Sequence, residues 1–101
     1  MIKRAKLSES EISDWMATRS GWTILDGSLH KQFSFPSFAQ AVGWMVTVAV
    51  FAESMDHHPH WCNVYNKVTV SLKSFDIDAM TTWDLALAEK MDALARTNRG
   101  L

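Results

Sequence analysis

Apolar residues recur at helical spacing in three segments of the chain, and each segment begins with a helix-capping pattern. The three capping pairs are Ser8 with Glu11, Ser37 with Gln40, and Thr81 with Asp84. A hydroxyl side chain followed three positions later by an acid or amide satisfies free N–H groups at a helix start. We therefore expect helices over residues 9–19 and 38–56, and a third that starts at about residue 81.

Between the helices, apolar and polar residues alternate as in strands with one buried face. Two strands, 22–25 and 29–35, flank Asp26-Gly27, which favours a two-residue hairpin turn. Two further strands are expected at 62–66 and 68–73, joined at Asn66-Lys67 and followed by a loop over 74–80. The order α-β-β-α-β-β-α predicts an α+β fold. We expect a two-layer sandwich, with a four-stranded antiparallel sheet and three helices on one of its faces.

The second predicted helix is apolar on more than one side. One stripe suited to covering the sheet comprises Phe38, Ala41, Val42, Met45, Ala49 and Ala52. Other apolar residues, among them Trp44, Val46 and Val50, spread around the remaining surface. In so short a chain this pattern favours self-association, and a slightly apolar surface helix is the alternative.

Composition narrows the class of protein. The 101 residues are 48% hydrophobic and 21% charged, which is typical of one globular domain spanning residues 1–101. The net charge of -1 argues against nucleic-acid binding through bulk charge. We find no signal peptide and no apolar run long enough for a membrane span, so we expect a cytoplasmic protein.

The chemistry concentrates in residues 53–67, which contain three of the four histidines, His57, His58 and His60. Glu53 and His57 are four positions apart at the predicted end of a helix, so they are expected to share a face. A carboxylate and a helix C-terminus both favour a protonated imidazole. We therefore expect His57 to be a proton donor that Glu53 orients, and a histidine that merely caps the helix is the alternative.

The sequence gives weaker support for other functions of residues 53–67. Adjacent His57 and His58 point in different directions, and no second histidine pair or cysteine stands at a zinc-type spacing, so we expect no metal. Cys62 is expected in a buried strand, on the face of Val64, which disfavours a nucleophilic role. Trp61 and Tyr65 could stack on a flat heterocycle or simply belong to the core. The residues alone therefore indicate an acid–base site of unknown ligand.

The motif D-H-H-P-x-W-x-N-V-Y-N-K-V at 56–68 resembles the pterin-4a-carbinolamine dehydratase family. Further similarity lies in G-W at 21–22, K-Q-F-x-F at 31–35, A-E-x-x-D-H-H-P at 52–59 and, more loosely, W-D-L-A-L-A at 83–88. The resemblance covers nearly the whole chain. It implies four antiparallel strands with three helices on one side, in agreement with the predicted order.

The resemblance also implies an activity, dehydration of a 4a-hydroxytetrahydropterin to the quinonoid dihydropterin. This step recycles the pterin of aromatic amino acid hydroxylases and needs no metal or organic cofactor. Carried over by residue, the motif assigns His57 to acid–base work, His58 to holding the pterin and Glu53 to orienting an imidazole. Pro59, Trp61, Tyr65 and Phe75 are assigned to the substrate pocket, and Asp84 to ordering its rim.

Two positions depart from the family pattern. Phe75 stands where family members commonly carry a third histidine, and Trp83 stands where a basic residue is often found. Phenylalanine cannot transfer a proton, so the protein is either a slower dehydratase or a pterin-binding protein of little turnover. Animal relatives also act as dimerisation cofactors of a homeodomain transcription factor. A protein-binding role, and assembly as a homodimer or homotetramer, are therefore further expectations.

Overall fold

The computed structural model of the protein describes residues 2–99 and has the predicted order of elements. The helices are α1 (Glu9–Ala17), α2 (Phe38–Ser54) and α3 (Thr82–Arg99), and the strands are β1 (Thr23–Leu25), β2 (Ser28–Ser34), β3 (His60–Val64) and β4 (Lys67–Leu72). The strands form one antiparallel sheet in the order β1-β2-β4-β3. The predicted α+β sandwich is therefore confirmed.

The capping residues begin the helices where the sequence predicts. Ser8 and Glu11 form a complete capping box at α1, because each side chain bonds the other residue's backbone N–H at 3.1 and 2.9 Å. At α2, Ser37 Oγ accepts from the Gln40 backbone N–H at 3.1 Å. Among residues 2–99, no helix has both the length and the apolar content needed to cross a membrane.

The sheet buries one face against the helices. Leu29 and Phe33 of β2 pair with Leu72 and Val68 of β4, and all four side chains are buried. Trp44 of α2 packs on this face, with its ring centroid 4.5 Å from that of Phe33. The strand positions that alternate with these, among them His30 and Ser71, form the open face of the sheet.

Two turns connect the hairpins. Asp26 and Gly27 both have positive φ, 52° and 76°, as the predicted two-residue turn requires. The β3–β4 turn was predicted one residue too late, because its two turn residues are Tyr65 and Asn66. Tyr65 has a φ of 52°, a left-handed conformation that takes its side chain out of the strand's alternation.

Two predictions of burial are wrong. The side of α2 that meets the core comprises Ala41, Trp44, Val48 and Ala52, so Ala41 and Ala52 of the predicted stripe are buried, whereas its Phe38, Val42 and Ala49 are exposed. Phe38, Val42, Val46 and Val50 are exposed on the single chain, Val50 to 69%.

The prediction that Cys62 lies in a buried strand is also wrong. Cys62 and Val64 share an exposed face, since β3 is an edge strand and both side chains lie on the open side of the sheet. The sequence T-N-R-G-L at 97–101 predicts fraying at the end of the chain; residues 97–99 are part of α3, and the last two residues lie outside the described range.

Candidate active site

The end of α2 sets the directions of the two adjacent histidines. Asp56 adopts a φ of 50°, so the chain reverses immediately after the helix. The His57 N–H donates to the Ala52 carbonyl at 3.1 Å, and the Asp56 N–H donates to that of Glu53 at 3.2 Å. These two bonds are the Schellman pattern that closes helix C-termini. The reversal points His57 toward α3, whereas His58 returns toward α2.

His57 belongs to a buried polar cluster at the start of α3. Its Nε2 lies 2.6 Å from Asp84 Oδ1, and the two residues are 8% and 0% exposed. The other oxygen of Asp84, Oδ2, accepts from the Thr81 backbone N–H at 2.9 Å and from Ser74 Oγ at 3.1 Å. Because a carboxylate only accepts, His57 Nε2 carries the proton of this pair, and Nδ1 is the nitrogen left for chemistry. Asp84 therefore lies beneath the site and contacts His57, whereas the family motif assigned it to ordering the rim.

His58 forms a second carboxylate–imidazole pair, and this one is exposed. Its Nε2 lies 2.8 Å from Glu53 Oε1, with side-chain exposures of 56% and 79%. The predicted contact between Glu53 and His57 is wrong, because the helix ends at Ser54 and its four-residue spacing does not continue to His57. Glu53 does orient an imidazole, but it is that of His58.

A cleft of about 470 Å³ opens beside the two histidines. Its walls include Arg4, His57, His58, Phe75, Asp76 and Trp83. The Trp83 ring meets His57 edge-on at a centroid distance of 5.9 Å. Phe75 stacks on His60 of β3, with centroids 4.4 Å apart and planes inclined by 25°. The cleft is within the size range of sites for small molecules, and it has flat aromatic walls.

Charged groups surround the cleft. Arg4 donates two hydrogen bonds to Asp76, at 2.9 and 3.0 Å, and these bonds hold the pKa of the Asp76 carboxyl below its usual value. The same contact raises the pKa of Arg4. Lys73, which also lines the cleft, bonds Asp78, and this hydrogen bond lowers the pKa of Asp78. The cationic groups of the cleft are therefore largely matched by carboxylates.

The remaining predicted residues divide between a second groove and a distant turn. Pro59 and Trp61 line an apolar groove of about 610 Å³ along α2, and His58 and Glu53 border the same groove. Tyr65 is 66% exposed at the far end of β3, about 15 Å along the strand from the histidines. Within one chain, the structure therefore does not bring Tyr65 to the site. In the described part of the chain, no three His, Cys, Asp or Glu side chains converge so that they could hold a metal ion.

Sequence reasoning missed several residues of the site. Arg4, Lys73, Ser74 and Asp76 reach the cleft from the N-terminal segment and from the loop after β4. No local pattern marks Arg4, because its partner Asp76 is 72 positions away. Ser74 carried no signal either, because its role depends on the burial of Asp84, which only the structure shows. What the arrangement offers is two imidazoles, each paired with a carboxylate, beside a slot for a flat ring.

Comparison with known proteins bears on the identity of the chain. The family described as pterin 4 alpha carbinolamine dehydratase matches residues 5–94. A protein of Solibacter usitatus with a provisional pterin-4-alpha-carbinolamine dehydratase name is 48% identical over 90 residues, covering 89% of this chain and 95% of that protein. A Brucella ovis protein with the same provisional name is 38% identical over 96 residues, covering 93% and 99%.

Two solved structures share the fold. A transcriptional coactivator/pterin dehydratase from Brucella melitensis aligns with a TM-score of 0.85 and 36% identity, over 90% of this chain and 99% of that one. A pterin dehydratase-like protein, identified as a RuBisCO assembly factor in the alpha-carboxysome, aligns with a TM-score of 0.61 and 25% identity, over 73% and 86%. The family match over residues 5–94 confirms the resemblance read from the motif at 56–68. The chain is a member of the pterin 4 alpha carbinolamine dehydratase family.

Proposed function

We propose that the protein dehydrates a 4a-hydroxytetrahydropterin to the quinonoid dihydropterin and water. One observation carries the proposal: two adjacent imidazoles, each held by its own carboxylate, border one cleft with aromatic walls. Membership of the dehydratase family supports the choice of a pterin as the substrate. The proposed chemistry needs only proton transfers, which side chains of this kind supply.

The reaction breaks two bonds and forms one double bond within the pterin. The C4a–O bond breaks as the departing hydroxyl takes a proton and leaves as water. The proton on N5 goes to a base, and its electron pair forms the C4a=N5 bond. The net loss is one water molecule, so no oxidant or reductant is required. An acid near C4a and a base near N5 are therefore the groups that the protein must provide.

We assign the acid–base role to His57. Asp84 fixes its ring through Nε2, so Nδ1 is the atom that exchanges a proton with the substrate. Burial supports this role, since a ring packed against Trp83 and bonded to a buried carboxylate keeps one orientation. A correctly placed group of this kind contributes about 10²- to 10⁴-fold to the rate.

His58 is assigned to holding the pterin and assisting the proton transfer. Its exposure and its pairing with Glu53 at 2.8 Å leave Nδ1 free on a more mobile side chain. Pro59 and Trp61 extend the surface beyond His58 along α2, where the pterin's side chain could lie. Phe75 contributes a flat wall and no proton, so we expect slower turnover than in relatives with a histidine there.

Assembly is part of the proposal. Phe38, Val42, Val46 and Val50 form an exposed apolar face on α2, and β1 and β3 are open sheet edges. We propose that the chain forms a homodimer or homotetramer through these surfaces. The expected metabolic link is to an aromatic amino acid hydroxylase that produces the substrate.

A protein-binding role is the second candidate. The same apolar face of α2 favours it, and a fold neighbour at 25% identity is a RuBisCO assembly factor. The two candidates differ in what covers α2. A stable homotetramer would occupy this face and leave little of it for another protein, so sedimentation of the purified chain separates them.

The direct test is the rate of dehydration of 4a-hydroxytetrahydropterin generated in place by a phenylalanine hydroxylase. We expect the wild type to accelerate the step and His57→Ala to lose about 10²- to 10⁴-fold in kcat. His30→Ala is the matched control, because His30 lies on the open face and bonds Ser71 at 3.2 Å. This variant should keep the wild-type rate.

If the wild type is inactive, the variant Phe75→His shows whether the cleft lacks only a proton-transfer group or the protein is not a dehydratase. If the wild type is inactive and Phe75→His gains activity, the cleft binds the pterin but lacks a proton-transfer group. If neither protein accelerates the step, the dehydratase proposal is wrong and the protein-binding role is favoured.

A further inference from the structure

The N-terminal segment, residues 2–7, is held against the start of α3 and the turn before it. The Leu7 N–H donates to the Met80 carbonyl at 3.0 Å, and the Thr82 N–H donates to that of Ala5 at 2.9 Å. Thr82 Oγ1 donates to the Lys3 carbonyl at 2.6 Å, and Trp83 Nε1 donates to that of Ile2 at 2.8 Å. Backbone contacts on both sides of Arg4 therefore fix where its side chain begins.

The Arg4 guanidinium is a wall of the same cleft that His57 and His58 line. Its Cζ lies 5.4 Å from the centroid of the Trp83 ring, and Trp83 in turn meets His57 edge-on. Asp76 occupies one N–H on each terminal nitrogen. A guanidinium has five N–H donors, so three remain that no side chain of the described residues engages.

A structural role alone does not explain this arrangement. The Arg4 and Asp76 side chains are 31% and 63% exposed, and ion pairs with this much access to water contribute little to folding stability. What the pair does achieve is orientation, because a bidentate carboxylate and an aromatic face together restrict a long side chain. The restricted group is placed at the cleft beside the imidazoles.

We propose that Arg4 binds the substrate. Its free N–H groups donate hydrogen bonds to a ring carbonyl oxygen of the flat heterocycle in the cleft, and Asp76 positions the guanidinium for this contact. The inference deepens the proposed function and rests on it for the identity of the heterocycle. Arg4 acts in binding rather than in proton transfer, since a guanidinium stays protonated throughout the accessible pH range.

The test compares Arg4→Ala, Arg4→Lys and Lys3→Ala in the full chain. Lys3→Ala is the matched control, because Lys3 is the neighbouring exposed cation and does not line the cleft. Binding is measured with biopterin, a fluorescent oxidised pterin that has no 4a-hydroxyl to lose, and turnover is measured with the 4a-hydroxy substrate. Thermal unfolding of each variant is recorded in parallel.

We expect Arg4→Ala to raise the biopterin Kd and the KM by roughly ten- to hundredfold, with kcat within about twofold of wild type. Arg4→Lys should restore only part of the loss, because an ammonium lacks the planar fork. Lys3→Ala should match the wild type in every measurement. Asp76→Asn should weaken binding less than Arg4→Ala, since it loosens the guanidinium without removing it.

The outcomes separate this inference from the proposed function. Unchanged Kd and KM in Arg4→Ala would overturn the inference even if the wild type is an active dehydratase. A lower melting temperature with unchanged Kd would also overturn it, because Arg4 would then be structural. Arg4-dependent binding of biopterin by a wild type that does not dehydrate supports the inference and contradicts the proposed catalysis. A wild type that neither binds biopterin nor turns over contradicts both.

Discussion

Replacing Asp84 by asparagine tests whether the buried carboxylate determines the tautomer of His57. Asp84 accepts from His57 Nε2, from the Thr81 backbone N–H and from Ser74 Oγ. The asparagine oxygen can keep the contacts to Thr81 and Ser74, which places the amide nitrogen against His57. That nitrogen donates, so Nε2 must accept and the proton must move to Nδ1. The nitrogen that faces the chemistry then loses its lone pair.

The expected loss of stability in Asp84→Asn follows from the hydrogen bonds that Asp84 accepts. A hydrogen bond to a charged group contributes about 1.5–3 kcal/mol and a neutral one about 0.5–1.5, so Asp84→Asn should lose about 1–2 kcal/mol. For a domain of this size, that corresponds to a fall in melting temperature of roughly 5–15 °C. The protein stays folded, but kcat should fall about 10²- to 10⁴-fold, the contribution of a general acid–base group.

Asp92→Asn is the matched control for this experiment. Asp92 is also a buried carboxylate of α3 and accepts from Trp22 Nε1 at 2.9 Å and from Lys31 at 2.6 Å, but it does not line the cleft. It should lose comparable stability and keep kcat. Ring ¹⁵N chemical shifts report the tautomer directly, with the proton on Nε2 in wild type and on Nδ1 in Asp84→Asn. An unchanged tautomer with unchanged kcat would refute the assignment, whatever the loss of stability.

Four further variants test the fold and the surface pair. Asp56→Val should lose about 1–2 kcal/mol because Asp56 has a φ of 50°, whereas Asp56→Gly should keep wild-type stability in thermal unfolding. Trp44→Ala should lose about 3–5 kcal/mol in urea unfolding, since Trp44 is 1% exposed; an unchanged midpoint would contradict its place in the core. The hydrogen bonds from Arg4 lower the pKa of Asp76 in the folded protein. The stability that these bonds contribute is therefore present above the ordinary pKa of an aspartate, and it is lost as pH falls through the lowered pKa of the folded protein. The advantage of wild type over Asp76→Asn in melting temperature, which is small for so exposed a pair, should therefore shrink as pH falls below the ordinary pKa of an aspartate, and a constant difference would contradict this.

Much of the fold could be predicted because its causes are local. Capping pairs mark the starts of the helices, and the Asp26-Gly27 turn needs two residues that tolerate positive φ. The buried side of α2 was misjudged because the helix is apolar nearly all round. The sequence of such a helix does not determine which of its sides faces the sheet. Contact with Phe33 and Phe35 decides this, since both rings pack on Trp44.

The partners of the histidines could not be predicted from spacing. The four-residue rule that linked Glu53 with His57 holds only while the helix continues, and it ends at Ser54. Asp84 was carried over from the family motif, but its burial depends on Ser74 and Thr81, which supply donors from the loop after β4 and from the residue before α3. Arg4 reaches the cleft from the opposite end of the chain. Each of these contacts depends on tertiary packing, which local patterns do not contain.

The two carboxylate–imidazole pairs suggest a division of labour that follows from burial. His57 and Asp84 are shielded from water, so their contact is strengthened by the low local dielectric and the ring keeps one orientation. His58 and Glu53 are exposed, so their contact is weaker and the ring can follow a ligand as it enters. Proton transfer needs the fixed ring of His57, whereas substrate capture tolerates the more mobile ring of His58. Replacement of His57 should therefore act mainly on kcat, whereas replacement of His58 should act mainly on KM.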